Sequence, residues 1–415
     1  MPDVLSSAPG LAIAVLRGDD EELTCSGVTS TADPLPVDED TLFFIGSTSK
    51  TLTATAVMTH VEAGRLSLDD LVRDVLPEIR LKEPEVLDVL TVGMLMDHTS
   101  GFRGDTLVDV GWGDDALERA IAELLPNEPQ VLPPGTAASY NNAAVMTVGR
   151  VLEVVSGKPF PQAVRDAVLT PLGMDRTTFL PWEAAGYRVV TGHVGQDVAR
   201  GWPVMRSTGP GGGAASSLRD QVTWARFCLH GGPVLKDETR LAMQQPRIKG
   251  VGVSWLLQQR GQHRLVTHGG NLNNMHLSTF VLAPDEGIGV IVMGNNRDVA
   301  DVGRELVDEV FGTDAPLTTE APPLDLVGSY DAGAWTQRVT AEDGKLFIQM
   351  VLPEGTAEEL VRSFHRPPAE VVAVGDDQLA LAARPWDVAG DVGRDENGEI
   401  AWLRWGMRVM PRSAA

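Results

Sequence analysis

The chain has 415 residues with 34 basic and 57 acidic side chains, a formal net charge of −23; such a surface repels phosphate backbones and anionic lipid, which argues against nucleic acid or membrane as a partner. Hydrophobic residues at 43% and charged residues at 22% describe a folded globular chain rather than a disordered one, and the length predicts two or three domains. Cys25 and Cys228, the only cysteines, stand far apart, so neither a disulfide framework nor a cysteine zinc site is built, and no metal or cofactor is expected.

The start, Met1-Pro2-Asp3-Val4, lacks the basic residues and apolar run of an export signal, and no apolar stretch approaches the roughly 20 residues that span a bilayer. The expectation is a soluble, cytoplasmic protein. Gly10 to Arg17 and Glu22 to Gly27 then read as two strands joined by a polar turn. Leu42 to Ile45 is a third apolar run, and Ser47 to Gly64 carries helix formers closed by a glycine.

Residues 66–245 read as helical patches between Pro and Gly loops. Strand patterns return at Val251 to Arg260, His263 to Thr267, His276 to Leu282 and Gly287 to Met293, followed by an amphipathic helix from Asp298 to Phe311. Strands at both ends with helices between predict an α/β (α+β) domain over 1–312, an antiparallel sheet flanked by helices with a helical subdomain inserted at about 66–245.

The segment 313–324 is rich in Pro and polar residues and reads as a linker that neither pairs in a ladder nor buries much surface. Beyond it, over 325–415, short strands at Leu326 to Tyr330, Trp335 to Val339, Lys345 to Met350, Leu379 to Ala383 and Ile400 to Val409 predict a small antiparallel barrel or sandwich, with Asp343-Gly344 and Asn397-Gly398 at hairpin turns.

Chemistry is concentrated in Ser47-Thr48-Ser49-Lys50, the only place in the chain where Ser precedes Lys by three. On a helix that spacing brings hydroxyl and amine onto one face, with Cβ atoms about 5–6 Å apart. Ser47 at the helix start has free N–H groups and the dipole to favour a developing negative charge. A buried Lys50 can lose its proton, which arginine cannot, and the chain uses 28 Arg against 6 Lys. Tyr140-Asn141-Asn142 places a phenol and a carboxamide at a helix start, and His268-Gly269-Gly270 ends a strand with glycines that admit close backbone approach.

In this order the three motifs resemble those of serine hydrolases of the class C β-lactamase and penicillin-binding-protein superfamily, S-x-x-K, Y-x-N and K-T-G or H-x-G. The resemblance spans roughly residues 8–312 and extends to Leu95-Met96-Asp97-His98-Thr99-Ser100-Gly101, Pro171-Leu172-Gly173-Met174 and Gly211 to Ser217 followed by Asp220. It implies a β-lactamase-like fold and an acyl-enzyme on Ser47, with Lys50 as activating base and Tyr140 relaying the proton; which of the two removes the first proton stays open. It further implies an oxyanion hole from the N–H groups of Ser47 and Asn271, Asn142 steadying Lys50 and the substrate amide, and His268, Gly269 and Gly270 lining the cleft. His98 and Ser100 are expected to scaffold a loop. The C-terminal strands are similar in architecture to the lipocalin-like domain of some D-aminopeptidases, esterases and peptide-cyclising members.

A lysine in the third motif is a lasting cation that grips a carboxylate, whereas His268 is largely neutral at pH 7. That favours esters, amides or D-amino-acid peptides as small-molecule or peptide acyl substrates, with water or an amine as acceptor; a non-catalytic binding module on the same fold is the competing class. Gly209 to Ala214 fits a dinucleotide spacing but follows no apolar strand, and His263 and His268 fall on opposite faces of one strand, against a shared metal. Trp112 and Trp202, in glycine-bearing loops, line the cleft or simply pack. The C-terminal domain carries no catalytic constellation of its own. A linker of about eleven residues, reaching at most ~40 Å, keeps it close enough to narrow access to Ser47.

Overall fold

The computed structural model describes residues 8–104, 107–195, 197–375 and 377–413; Met1 to Val4, read above as lacking an export signal, lie outside them. Gly10–Arg17 is the second strand of a six-stranded antiparallel sheet, in the order Asp20–Gly27, Gly10–Arg17, Ile288–Gly294, His276–Ala283, His263–Leu272, Leu256–Arg260. Its unbroken apolar sequence follows from burial on both faces. Leu11, Ile13 and Val15 pack with Val299, Val302 and Phe311 of the helix Val299–Phe311, while Ala12, Ala14 and Leu16 join the main core on the other face.

The helix Ser49–Glu62 runs through that main core, and Leu52, Ala54, Ala56 and Val57 are at most 1% exposed. Being covered on most sides, it needs no apolar stripe. The inserted region is less purely helical than expected: Phe43–Phe44, Ala215–Ser216 and Thr177–Thr178 form a small three-stranded sheet. Its long helix Asn142–Ser156 is capped by Asn141, whose Oδ1 accepts from the Ala144 amide at 2.7 Å, and ends at Gly157 with φ 67°.

The third motif does not end its strand. Pairing continues through His268-Gly269-Gly270 to Leu272, which lies opposite His276, because glycine keeps its backbone donor and acceptor and stays in the ladder. Leu256–Arg260 pairs with this strand over His263 to Thr267, so from His268 onward one edge carries no further strand among the described residues and faces the turn that carries Ser47.

The C-terminal region is an eight-stranded antiparallel meander from Gly328–Asp331 to Arg408–Pro411, nearly closed into a barrel by a bridge between Tyr330 and Arg412 and the bond from Ser413 N–H to Ser329 O at 2.8 Å. Leu346, Leu379 and Leu403 fill its interior, at most 1% exposed. Asp343-Gly344 turns a hairpin as expected, with φ 50° and 76° between the paired Glu342 and Lys345.

Three expectations change here. The strands Ala369–Gly375 and Arg384–Arg394 and the helix Glu358–Phe364 are additional. Ile400 to Val409 is two strands, Ile400–Trp405 and Arg408–Pro411, folded back at Gly406 and Met407, both left-handed at φ 54° and 69°; methionine is no turn residue, so apolar alternation masked the hairpin. The segment 313–324 is tied to the barrel, with Glu320 and Ala373 exchanging two backbone bonds of 2.9 and 3.1 Å.

The barrel rests on the larger domain at two places. Arg103 pairs with Asp331 at 2.9 Å beside the Tyr140 segment. On the other side Asn274 donates to the Ser363 carbonyl at 3.1 Å, and Arg362 pairs with Asp197 at 2.9 Å.

Candidate active site

Ser47 sits in the single 3-10 turn Gly46–Thr48 that opens the helix Ser49–Glu62. Lys50, one turn on and 0% exposed, donates from Nζ to Ser47 Oγ at 3.0 Å and also to the Gly211 carbonyl. Gly211 belongs to the short helix Gly209–Gly212, so the glycine run resembling a dinucleotide loop is a wall against the lysine. It is pinned there by Thr53 Oγ1 on the Pro210 carbonyl at 2.9 Å and by Ser49 Oγ, which accepts from Ala214 N–H at 3.1 Å. Asn142 comes to the same place: its Oδ1 and Lys50 Nζ lie 3.6 and 3.7 Å from where a side chain on Gly211 would begin.

Tyr140 is 7% exposed, with its ring centroid 4.8 Å from Lys50 Nζ. His98, in the left-handed region at φ 62°, packs its ring 4.4 Å from that of Tyr140, and its Nδ1 accepts from the Asn141 amide at 3.3 Å. The loop residue expected to be scaffolding therefore touches the phenol itself. Ser100 keeps the scaffolding position, its carbonyl accepting from Gln130 Nε2 at 2.7 Å. His268 lies 6.3 Å from Tyr140, ring to ring. Its Nδ1 donates to the Gly269 carbonyl at 2.8 Å, which leaves Nε2 as the bare acceptor nitrogen, buried and without a hydrogen-bond partner among the described residues. Burial first, and the Lys50 charge second, push the His268 pKa down to about 3, so it is neutral at pH 7.

The H-x-G strand meets the Ser47 turn closely enough to require glycine at two positions. A Cβ on Gly270 would stand 1.9 Å from the Ile45 carbonyl oxygen, and one on Gly46, itself at φ 50°, 2.8 Å from Asn271 N. Ser278 Oγ locks the junction, donating to Ile45 O at 2.7 Å and lying 2.9 Å from Thr48 Oγ1. The Asn271 amide thus lies beside the turn that carries Ser47, while its side chain binds Asn274 at 2.7 Å. Gly269 is exposed, and a Cβ there would meet only Ser278 O, at 3.4 Å. Trp202 packs on Phe44 at 4.7 Å and Trp112 pairs with Trp182 at 6.0 Å, ring to ring.

All eight residues singled out by sequence, Ser47, Lys50, Tyr140, Asn142, His268, Gly269, Gly270 and Asn271, converge here. The Gly211 carbonyl, His98, and the barrel residues Met407 and Arg408 described below were not foreseen in the site. For Gly211 the cue was present, a glycine run inside the resembling segment; for the barrel residues no local pattern exists. No cluster of three or more His, Cys, Asp or Glu suited to a metal occurs among the described residues, and no helix among them is long and apolar enough to cross a membrane.

The Beta-lactamase family matches residues 5–311. Penicillin-binding protein 4 of Amycolatopsis lactamdurans is 33% identical over 361 residues, 78% of this chain and 93% of that protein. Unguisins hydrolase ungD' of Aspergillus campestris (strain IBT 28561) is 25% identical over 317 residues, 69% of this chain but only 58% of its own length. Among solved structures, SurE superposes with TM-score 0.75 at 24% identity, covering 98% of this chain and 95% of that one, so the likeness takes in the barrel. The class C beta lactamase from Rhodobacter sphaeroides gives TM-score 0.60 at 23% identity, covering 73% of this chain and 95% of that one. With the family match running through the whole sheet-and-helix domain, the chain belongs to the β-lactamase family, in the penicillin-binding-protein-like serine hydrolase superfamily.

Proposed function

We propose that the protein is an acyl hydrolase that forms an acyl-enzyme on Ser47 and cleaves esters or the amide bonds of D-amino-acid-type peptides. The observation that carries this reading is the 3.0 Å hydrogen bond between Lys50 Nζ and Ser47 Oγ, made by a lysine that is 0% exposed. Ser47 Oγ attacks the acyl carbonyl while its proton passes to the Lys50–Tyr140 pair. The carbonyl oxygen becomes an oxyanion received by the Ser47 and Asn271 amides, and the leaving oxygen or nitrogen takes the proton as its bond to the acyl carbon breaks. Water then adds to the acyl-Ser47 ester, gives its proton to the same pair, and the Ser47 oxygen recovers a proton as it leaves.

A neutral His268 in the position of a lasting cation supports neutral esters and amides over substrates held by a carboxylate. One relative is named a hydrolase of unguisins, and SurE has been solved with D-Leu, which supports D-amino-acid compounds as substrates to test.

Incubation with a fluorophosphonate or an activated p-nitrophenyl ester, followed by peptide mass spectrometry, is expected to place a single adduct on Ser47. Labelling that persists in Ser47→Ala would sink the assignment. The same assay across D- and L-amino-acid amides, with and without an added amine, reads substrate class and acceptor together; hydrolysis products that are unchanged by the amine support water as acceptor.

A further inference from the structure

The last hairpin of the barrel is built into the segment that carries Tyr140. Its loop presents the Met407 carbonyl to the Tyr140 amide at 2.7 Å. Ser139 Oγ accepts from the Val409 amide at 3.1 Å, and Arg404, itself paired with Asp391 at 2.7 Å, donates to the Ala138 carbonyl at 3.0 Å. Three consecutive residues, Ala138 to Tyr140, take partners from a hairpin some 266 to 270 positions further along the chain. The same hairpin brings the half-buried Arg408 guanidinium to 4.8 Å from the Tyr140 ring centroid, the distance at which Lys50 Nζ also stands. Trp335, on the barrel, lies 5.5 Å from that guanidinium and helps to hold it.

We propose that Arg408 is a positioning residue for acyl transfer, a fixed cation supplied by the barrel that holds the Tyr140 ring and favours the phenolate through which the Ser47 proton passes. The inference rests on the Ser47–Lys50–Tyr140 reading above. Among the described residues, four ionisable groups face the ring: Lys50, Arg408, His98 and His268. Burial holds both histidines neutral, His98 well below its ordinary range and His268 at about 3. Of the two cations, Lys50 exchanges its proton during the cycle, whereas a guanidinium is not deprotonated in a protein. Arg408 is thus the one lasting cation among these four, positive at every step. An opposite charge within about 4–6 Å favours an ionised group, and a cation on an aromatic face is itself attractive.

The test uses the full-length protein and p-nitrophenyl acetate, with kcat and KM followed from pH 5 to 10. Arg408→Gln is expected to lower kcat about 10-fold at pH 7 with KM little changed, and to move the acidic limb of kcat upward by about one pH unit, so that the deficit closes at high pH. Arg408→Lys keeps a charge and is expected to keep the limb. In a Tyr140→Phe background, Arg408→Gln adds no further loss, since both act through one group. A limb that does not move, an equal loss at every pH, or an additive loss in Tyr140→Phe would overturn the proposal. Should Arg408→Gln fail to fold, Trp335→Leu carries the test, with a smaller shift in the same direction expected and an unmoved limb contradicting it. Wild-type protein that takes no label on Ser47 refutes the underlying reading instead; label on Ser47 with an unmoved limb refutes only the role of Arg408.

Discussion

The turn at Ser47 and the hairpin loop at Met407 both deliver side chains to Tyr140 and its neighbours, by opposite routes. Ser47 and Lys50 meet because one helical turn separates them, so their 3.0 Å bond needs little more than the helix. Met407 and Arg408 meet Tyr140 only because an eight-stranded barrel is folded and seated. The Ser47–Lys50 pair is thus a local device and the second cation an imported one. In the proposed mechanism the larger domain carries the groups that exchange protons, and the barrel carries a group whose charge stays constant.

The comparison is sharpened most by Lys50→Ala, expected to cut kcat/KM at least about 10³-fold, because the proposed Lys50–Tyr140 proton path is broken and such sites act as a unit. Lys50→Arg is expected to be no better, since guanidinium retains its proton. Rate measurements on an activated ester check both, and near-normal turnover in either variant would remove the local device.

Next comes the junction of strand and turn. Gly270→Ala drives a Cβ to within 1.9 Å of the Ile45 carbonyl and pushes the Asn271 amide away from the turn; a loss of about 10²-fold in kcat is expected, the scale of one oxyanion donor. Its neighbour provides the control: Gly269→Ala, exposed and meeting only an ordinary contact at 3.4 Å, should stay within about 1 kcal/mol of the wild type in denaturant unfolding. Equal behaviour of the two variants would contradict the close approach. The effects expected of Arg408→Gln follow in size.

A separate effect, on stability rather than turnover, lies outside the cleft. Burial pushes the His276 pKa down to about 3, aided by His193, so the unfolded chain binds a proton there that the folded chain excludes. The stability tied to this neutral form is complete above the unfolded value of about 6.5 and is lost as pH falls towards 3, by up to ~1.4 kcal/mol per pH unit. His276→Phe should flatten the acid side of the stability profile between pH 6.5 and 3 by about that slope, whatever its effect at pH 7; an unchanged slope in urea titrations would show that the histidine charges freely in the folded state.

Much of the sheet was legible because its strands are short apolar runs bounded by turn residues, as at Pro284-Asp285-Glu286 before Ile288–Gly294. The H-x-G strand was read five residues short, at Thr267 instead of Leu272, because glycines look like an end unless the neighbouring strand is known to continue alongside. Trp405 to Arg408 was read as uninterrupted strand because a left-handed methionine leaves no compositional mark.

Sequence alone determined the groups whose spacing is itself the geometry: Ser47 three before Lys50 on a helix, and Tyr140 with Asn142 at the start of another. It also carried the polarity of the third motif, since a histidine in that position is a different chemical group from a lysine wherever it lies. Only the tertiary structure decided that Gly211 would accept from Lys50, that His98 would lie on the phenol, and that a barrel hairpin would hold Tyr140. Those contacts join segments from 42 to 267 positions apart through backbone carbonyls and ring faces that every residue or every aromatic can offer. Such contacts acquire their partners from packing, and nothing in a neighbouring residue announces them.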